Sequence, residues 1–194
     1  GINISDYEKA LAERPIITRA TLGLAPDDVV LLNVAFLIGT KAQVHAVKAV
    51  QEASERCPRL RLLLVGAAYD RNYAAEVSRA IEESGLGARV LLCGETDRVA
   101  DYYRLADGFL LSSLTEGWSL AMTEAMYFQL PLILTDVGGA SDVIENGDIG
   151  ILVPPAFSDP LEVSAANLWD YCTNRSPRNL DALAAAVVEL HDEL

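Results

Sequence analysis

The residues best placed to do chemistry cluster in one stretch, Ser112-Ser113-Leu114-Thr115-Glu116-Gly117-Trp118-Ser119-Leu120-Ala121-Met122-Thr123-Glu124-Ala125-Met126. Two carboxylates, Glu116 and Glu124, are separated by seven residues there. The apolar run before them, Gly108–Ser112, reads as a strand, and the pattern from Ser119 to about Phe128 reads as a helix. Glu116 then lies in the loop after the strand, and Glu124 a turn and a half inside the helix, both at one strand mouth. A helix N-terminus between them offers unpaired N–H groups and a positive dipole end, which favours an anion such as a diphosphate. Gly117 has no Cβ, so the backbone there can approach a ligand closely. The Glu124 carboxylate can accept two hydrogen bonds from a vicinal diol, as on a ribose. On this spacing alone a plainer alternative stays open, two acids complementing a helix dipole on a solvated surface.

Positioning such a mouth takes a particular framework, and the chain supplies its signs. Short apolar runs, Val29–Phe36, Leu60–Gly66, Arg89–Gly94, Gly108–Ser112, Pro131–Thr135 and Ile149–Val153, predict six strands. Between them come helical patterns over Lys41–Arg56, Tyr73–Glu83, Val99–Leu105 and Ser119 to about Phe128. Strands this uniformly apolar are expected to be buried on both faces, the mark of a parallel sheet covered by helices. The alternation predicts an α/β fold, a doubly wound, Rossmann-like sheet whose ligands bind at the carboxyl ends of the strands. After Pro154-Pro155, Leu161–Tyr171 and Leu180–Leu194 read as two closing helices.

Composition narrows the class of partner. A chain of 194 residues is long enough to bury a sizeable core. Its formal net charge of −13 argues against a nucleic-acid partner, which requires a basic face, and against broad attraction to an anionic membrane. A bound phosphate must therefore be held locally, by backbone N–H groups and one or two cations. The three cysteines, Cys57, Cys93 and Cys172, lack metal-ligand spacing, so no metal site is expected. Cys93 reads as a buried small hydrophobe, and the odd, scattered set reads as reduced thiols in a cytoplasmic protein. No apolar stretch reaches the roughly 18–20 residues of a membrane span, and no signal peptide is recognised. His45 and His191 have no partners at ligand spacing and read as surface or packing residues; Tyr69, Tyr73, Tyr102 and Tyr103 read as core or rim aromatics.

The ordered string Glu116 to Met126, then Pro131 to Gly139, Asp142-Val143-Ile144-Glu145-Asn146-Gly147 and Gly150-Ile151-Leu152-Val153-Pro154-Pro155 resembles glycosyltransferase family 4. Leu64-Val65-Gly66, Leu92-Cys93-Gly94-Glu95, Tyr103 with Ala106-Asp107, and the opening Gly1-Ile2-Asn3 extend the likeness over roughly residues 1–155. The resemblance implies one half of a GT-B fold, the carboxyl-terminal half that binds the donor. Residues 1–28 would be interdomain linker and lead-in, 29–157 the donor-binding domain and 158–194 C-terminal helices.

By the same resemblance, the chain would be the donor part of a retaining hexosyltransferase using a UDP- or GDP-sugar, with a glycan or lipid-linked acceptor held by an absent N-terminal domain. Any peripheral membrane contact would fall to that other half. Glu116 would sit near the donor sugar, and Glu124 would hold the ribose diol. Gly117, Trp118, Ser119 and Leu120 would offer backbone donors to sugar and diphosphate, and Glu95 and Thr96 would border the base. Gly39 would line the donor site ahead of Lys41, which would neutralise the leaving diphosphate without a metal or other cofactor. One departure stands out: the family usually carries an Arg five residues before that Lys, and here the position is Phe36. Three rival readings stay open. A nucleotide-sugar-binding domain without turnover is kept open by Phe36. A sugar-nucleotide epimerase shares the architecture but resembles the Glu116–Glu124 block less. A nicotinamide-dependent dehydrogenase is disfavoured by Leu37-Ile38-Gly39-Thr40 after strand one, where the glycine fingerprint would stand.

Overall fold

Six strands form one sheet in the order β3-β2-β1-β4-β5-β6, and every neighbouring pair is parallel. The computed structural model describes residues 2–144, 149–174 and 176–194. The strands are β1 (Val29–Val34), β2 (Leu60–Val65), β3 (Val90–Gly94), β4 (Gly108–Leu111), β5 (Leu132–Thr135) and β6 (Gly150–Val153). The helices are α1 (Ile4–Ala12), α2 (Gln43–Ala53), α3 (Arg71–Ser84), α4 (Val99–Leu105), α5 (Leu120–Tyr127), α6 (Ala140–Ile144), α7 (Leu168–Thr173) and α8 (Leu180–Glu193). The motif residues Gly1, Glu145, Asn146 and Gly147 lie outside the described residues.

The unbroken apolar runs follow from the strand period of two with both faces covered. Leu31, Leu62, Leu64, Leu110 and Ile133 enter one core with residues of α2, α3 and α8. Their neighbours Val30, Leu32, Leu63, Val65, Phe109, Leu111, Leu132 and Leu134 enter the other, with residues of α4, α5 and α6. Helix α8 belongs to the first core: Leu183 and Val187 are fully buried, each contributing about 1.5–3 kcal/mol by transfer from water.

The structure corrects three expectations. The strand β3 is not buried on both faces: Leu92 is 42% exposed and Cys93 is only partly buried, because β3 closes an edge of the sheet. The helix expected over Leu161–Tyr171 is instead a 3-10 turn at Pro160–Glu162, an irregular link and α7. There the Asn167 side chain accepts from the Ser164 amide at 2.8 Å and donates to the Glu162 carbonyl at 2.7 Å, competing with helical backbone bonds. The helix expected from Lys41 starts two residues later, because Ala42 has a φ of 47° and separates a 3-10 turn, Gly39–Lys41, from α2.

The lead-in is tied to the body by buried charge. Arg19 donates to the carbonyls of Leu105 and Asp28 and pairs with Asp107 at 2.6 Å. Asp101, 1% exposed, accepts from the amides of Ile16 and Ile17 at 3.0 and 3.2 Å. Burial pushes its pKa up, but those two amides and Arg98 outweigh it and hold the carboxyl below the ordinary value of 3.8. A depressed folded-state pKa gives stability that is complete above the unfolded value and is lost as pH falls through the folded one. The wild type is therefore expected to lose this contribution only below about pH 4. Asp101→Asn should cost about 1.5–3 kcal/mol at pH 7 in urea unfolding and flatten that acid slope. An unchanged midpoint at pH 7 would show that the lead-in is not anchored through this carboxylate.

Candidate functional site

The reversal of winding between β1 and β4 opens a crevice at their carboxyl ends, the place where ligands bind in open α/β sheets. A cavity of about 380 Å³ lies there, walled by Val34, Val65, Leu111, Phe36, Lys41, Glu116, Trp118, Ser119, Leu120 and Glu124 among others. A larger hollow, about 670 Å³, lies instead at the amino ends of β5 and β6, against Glu189 and Glu193 of α8. Among the described residues no cation lines it, and neither do Glu116 and Glu124, so the β1/β4 cavity is the better candidate.

Three loops meet at this cavity and are bonded to one another. Lys41 Nζ donates to Glu116 Oε1 at 2.6 Å, and Ser113 Oγ donates to the same oxygen at 2.7 Å. Both charged side chains are largely covered, 21% and 10% exposed, so their attraction is less screened than that of a surface pair. Ser112 Oγ donates to the Ala42 carbonyl at 3.0 Å, and the Leu114 amide to the Thr40 carbonyl at 2.8 Å. Thr135 Oγ1 donates to the Ser113 carbonyl at 2.7 Å, adding the loop after β5. Ala42 adopts its left-handed conformation inside this junction, an uncommon geometry for a residue with a Cβ.

Gly138 and Gly139 let the loop after β5 press against the Glu116 loop. Gly138 has a φ of 60°, and a Cβ on it would stand 2.3 Å from the Gly117 carbonyl oxygen and 2.6 Å from that of Glu116. The Gly139 amide donates to the Gly117 carbonyl at 2.9 Å, and a Cβ on Gly139 would run into the Trp118 ring. Trp118 is not a core residue: it is 53% exposed, with Nε1 donating to Thr123 Oγ1 at 2.9 Å.

Ser119 caps α5, its Oγ accepting from the Met122 amide at 3.3 Å, so the positive end of the helix faces the same mouth. One turn on, Glu124 Oε2 accepts from the Tyr103 hydroxyl at 2.8 Å. Burial and the adjoining Glu124 carboxylate push the Tyr103 phenol far above its ordinary value, and the same two causes raise Tyr7. Glu124 and Leu120 also line a second hollow of about 340 Å³, bounded by Asn3, Asp6 and Tyr7 of the lead-in and by Asp97.

The structure thus brings Lys41, Glu116, Trp118, Ser119, Leu120 and Glu124 to one cavity. It does not bring Gly39, Glu95 or Thr96 there, nor into the second hollow. Glu95 is exposed, Thr96 Oγ1 accepts from the Arg98 amide at 2.9 Å, and Asp97 is the residue of that loop that reaches the second hollow. Gly117 serves the wall through its carbonyl rather than by lining the cavity. Phe36 is on the wall, 53% exposed, its ring 5.6 Å from that of Tyr69. The cavity wall therefore carries one cation, Lys41, against two carboxylates, Glu116 and Glu124.

Sequence reasoning missed the parts played by Ser113, Gly138-Gly139 and Tyr103. A signal existed for Tyr103, since a buried tyrosine requires a partner for its hydroxyl. His45 is a packing residue: burial lowers its pKa to about 4, and neutral Nε2–H donates to the Tyr171 carbonyl at 2.8 Å. Among the described residues no group of three or more His, Cys, Asp or Glu side chains is gathered to hold a metal.

The family model for glycosyl transferases group 1 matches residues 16–166. A D-inositol 3-phosphate glycosyltransferase from Rhodococcus erythropolis is 33% identical over 144 residues, covering 70% of this chain and 32% of the relative. A glycosyltransferase structure from Rickettsia africae superposes with a TM-score of 0.66 at 19% identity, over 98% of this chain and 50% of its own. HepE of Anabaena, solved with UDP-glucose, gives 0.65 at 23% identity, over 99% of this chain and 52% of its own. At these identities the two structures show the shared fold, a six-stranded parallel sheet with flanking helices. The chain spans about a third of the length of the curated relative and about half of the solved ones.

The fit of the loops after β4 and β5 is open to a direct stability test. Gly138→Ala meets both an unfavourable φ and a backbone collision, whereas Gly85→Ala has a φ of 71° and nothing within 4 Å. Gly85→Ala should cost only the conformational penalty, about 1–2 kcal/mol. Gly138→Ala should cost at least about 1 kcal/mol more in chemical denaturation. Equal losses would mean that the two loops are not pressed together.

Proposed function

The chain belongs to the glycosyl transferases group 1, and from that premise we propose that it is the donor-binding half of a retaining family 4 enzyme. It would transfer a hexose from a UDP- or GDP-sugar to a glycan or lipid-linked acceptor held by a second domain. The observation that carries this reading is the convergence of Lys41, Glu116, Glu124 and the start of α5 on one cavity at the β1/β4 reversal. Glu124 takes the ribose diol, and the α5 N-terminus with Lys41 takes the diphosphate. Glu116 stands by the donor sugar. HepE, solved with UDP-glucose, supports a donor of this class on this fold.

The chemistry asks one thing of this half. When the sugar–phosphate bond breaks, its electron pair passes to the diphosphate oxygen, and fixed positive charge there lowers the barrier. Lys41 has three N–H donors and gives one to Glu116, leaving two for phosphate oxygens. The amides at the start of α5 add a partial charge at no reorganisation cost. The role assigned to these groups requires no metal.

A second reading, nucleotide-sugar binding without turnover, is favoured by one observation. Phe36 stands where a second cation is expected, and the remaining one is already paired with Glu116. Phe36→Arg tests whether this position faces the diphosphate. It should raise affinity for UDP or GDP about three- to tenfold at low ionic strength, with the gain shrinking as salt is added. An affinity unchanged at every salt concentration would place the diphosphate elsewhere.

Role assignments within the cavity are separable by calorimetric titration with a nucleoside diphosphate and its sugar derivative. Glu124→Gln removes the charge and turns one acceptor into a donor, so affinity for both ligands should fall about ten- to a hundredfold. Glu116→Gln should weaken the nucleotide-sugar but not the free diphosphate, whose affinity changes only through the Lys41 charge that Glu116 no longer offsets. Equal losses for both ligands in both variants would refute the assignment of sugar to Glu116 and ribose to Glu124.

A further inference from the structure

We propose that Tyr103 is the positioning residue of the donor site, its phenol holding one oxygen of Glu124 so that the carboxylate meets the vicinal hydroxyls of a ribonucleotide already oriented. The inference rests on the proposed assignment of ribose to Glu124.

Tyr103 is built to hold still. It is 1% exposed, its ring is stacked on Phe128 at 5.1 Å and 14°, and Phe109 lies 6.2 Å away. The hydroxyl stands 2.8 Å from Glu124 Oε2 and 3.1 Å from the Ala121 carbonyl. A phenol has one proton to give, and the charged, closer oxygen is the stronger acceptor, so the proton points at Glu124. Burial and that carboxylate raise the phenol far above its ordinary value, so it stays a donor throughout the working pH range. A second phenol, Tyr7 of α1, packs on Tyr127 at 5.8 Å and Phe128 at 5.6 Å and also feels Glu124. Two phenols, Tyr7 of α1 and Tyr103 of α4, thus act on the carboxylate.

The consequence is energetic. A free Glu side chain must lose rotamer freedom to accept two hydroxyls at once, and that ordering subtracts from affinity. Here the fold has ordered Glu124 before the ligand arrives. The bond from Tyr103 uses one lone pair of Oε2, and a carboxylate with about four acceptor positions retains enough for both ribose hydroxyls. The effect is specific to ligands that carry those hydroxyls.

Tyr103→Phe removes the donor and keeps the ring. Calorimetric titration would use UDP and GDP, each beside its 2′,3′-dideoxy form, on wild type, Tyr103→Phe and Glu124→Gln. The wild type should prefer the ribonucleotide. Tyr103→Phe should lower ribonucleotide affinity about three- to tenfold and leave the dideoxy form unchanged. Glu124→Gln should abolish most of the preference. An unchanged dideoxy affinity also certifies that the variant is folded, which a purely structural defect would not preserve. If the wild type shows no preference, the assignment of ribose to Glu124 falls and this inference with it. If the wild type and Glu124→Gln behave as expected but Tyr103→Phe weakens both forms alike, or neither, the ribose assignment stands and the positioning role of Tyr103 is overturned.

Discussion

The pairing of β1 with β4 is the constraint on which the rest of the molecule depends. With the order β3-β2-β1-β4-β5-β6, the connection leaving β1 and the one leaving β4 run to opposite faces of the sheet. Their carboxyl ends diverge and leave a crevice that only loops can wall. Lys41 comes from the first of those loops and Glu116 from the second, and their bond at 2.6 Å closes the junction. The Ser112, Leu114 and Thr135 bonds and the glycine pair after β5 brace it. The proposed chemistry and the architecture share one spot because the reversal of winding opens the sheet at the carboxyl ends of its strands.

Electrostatics set how so acidic a chain would hold a phosphate. A net charge of −13 excludes a broad positive field, so attraction has to be local. In the proposed site the α5 N-terminus and Lys41 would supply it over a few ångströms, inside a cavity whose walls limit screening. Glu116 holds Lys41 in place at the cost of part of its charge. Phe36 removes a further source of attraction and puts an aromatic surface beside Tyr69 instead. The proposed donor site is therefore strong in hydrogen-bond geometry and weak in charge.

Much of this is legible in the residues. The six apolar runs form six parallel strands because strands covered on both faces need no polar alternation, and boundaries move by only one or two residues. Glu116 and Glu124 are legible for the same reason: a strand followed by a short loop and a helix leaves two acids at that spacing at one mouth. Other features are not. The lead-in helix α1 stands where a linker is expected: it is amphipathic but buries no residue fully, so no core-facing run marks it. The link before α7 escapes the pattern because Asn167 satisfies the backbone with its side chain, an outcome that apolar periodicity does not encode. The Tyr103–Glu124 bond joins residues 21 positions apart on different helices, and local spacing carries no trace of it. Glu95 and Thr96, placed by resemblance, lie outside the cavity, and the residue of their loop that reaches even the second hollow is Asp97.

The central claim is that the β1/β4 cavity is a nucleotide-sugar site, and thermal unfolding with a donor panel tests it most directly. UDP-glucose, GDP-mannose, ADP-glucose and the free nucleoside diphosphates would be added at a hundred times their dissociation constants or to solubility. A ligand that binds only the folded state at that excess adds about 2.7 kcal/mol, which for a chain of this size raises the midpoint by about 5–10 °C. The account predicts such a rise for a uridine or guanosine donor and its nucleotide, and its loss in Glu124→Gln. No shift with any nucleotide, or a shift of equal size in Glu124→Gln, would contradict it.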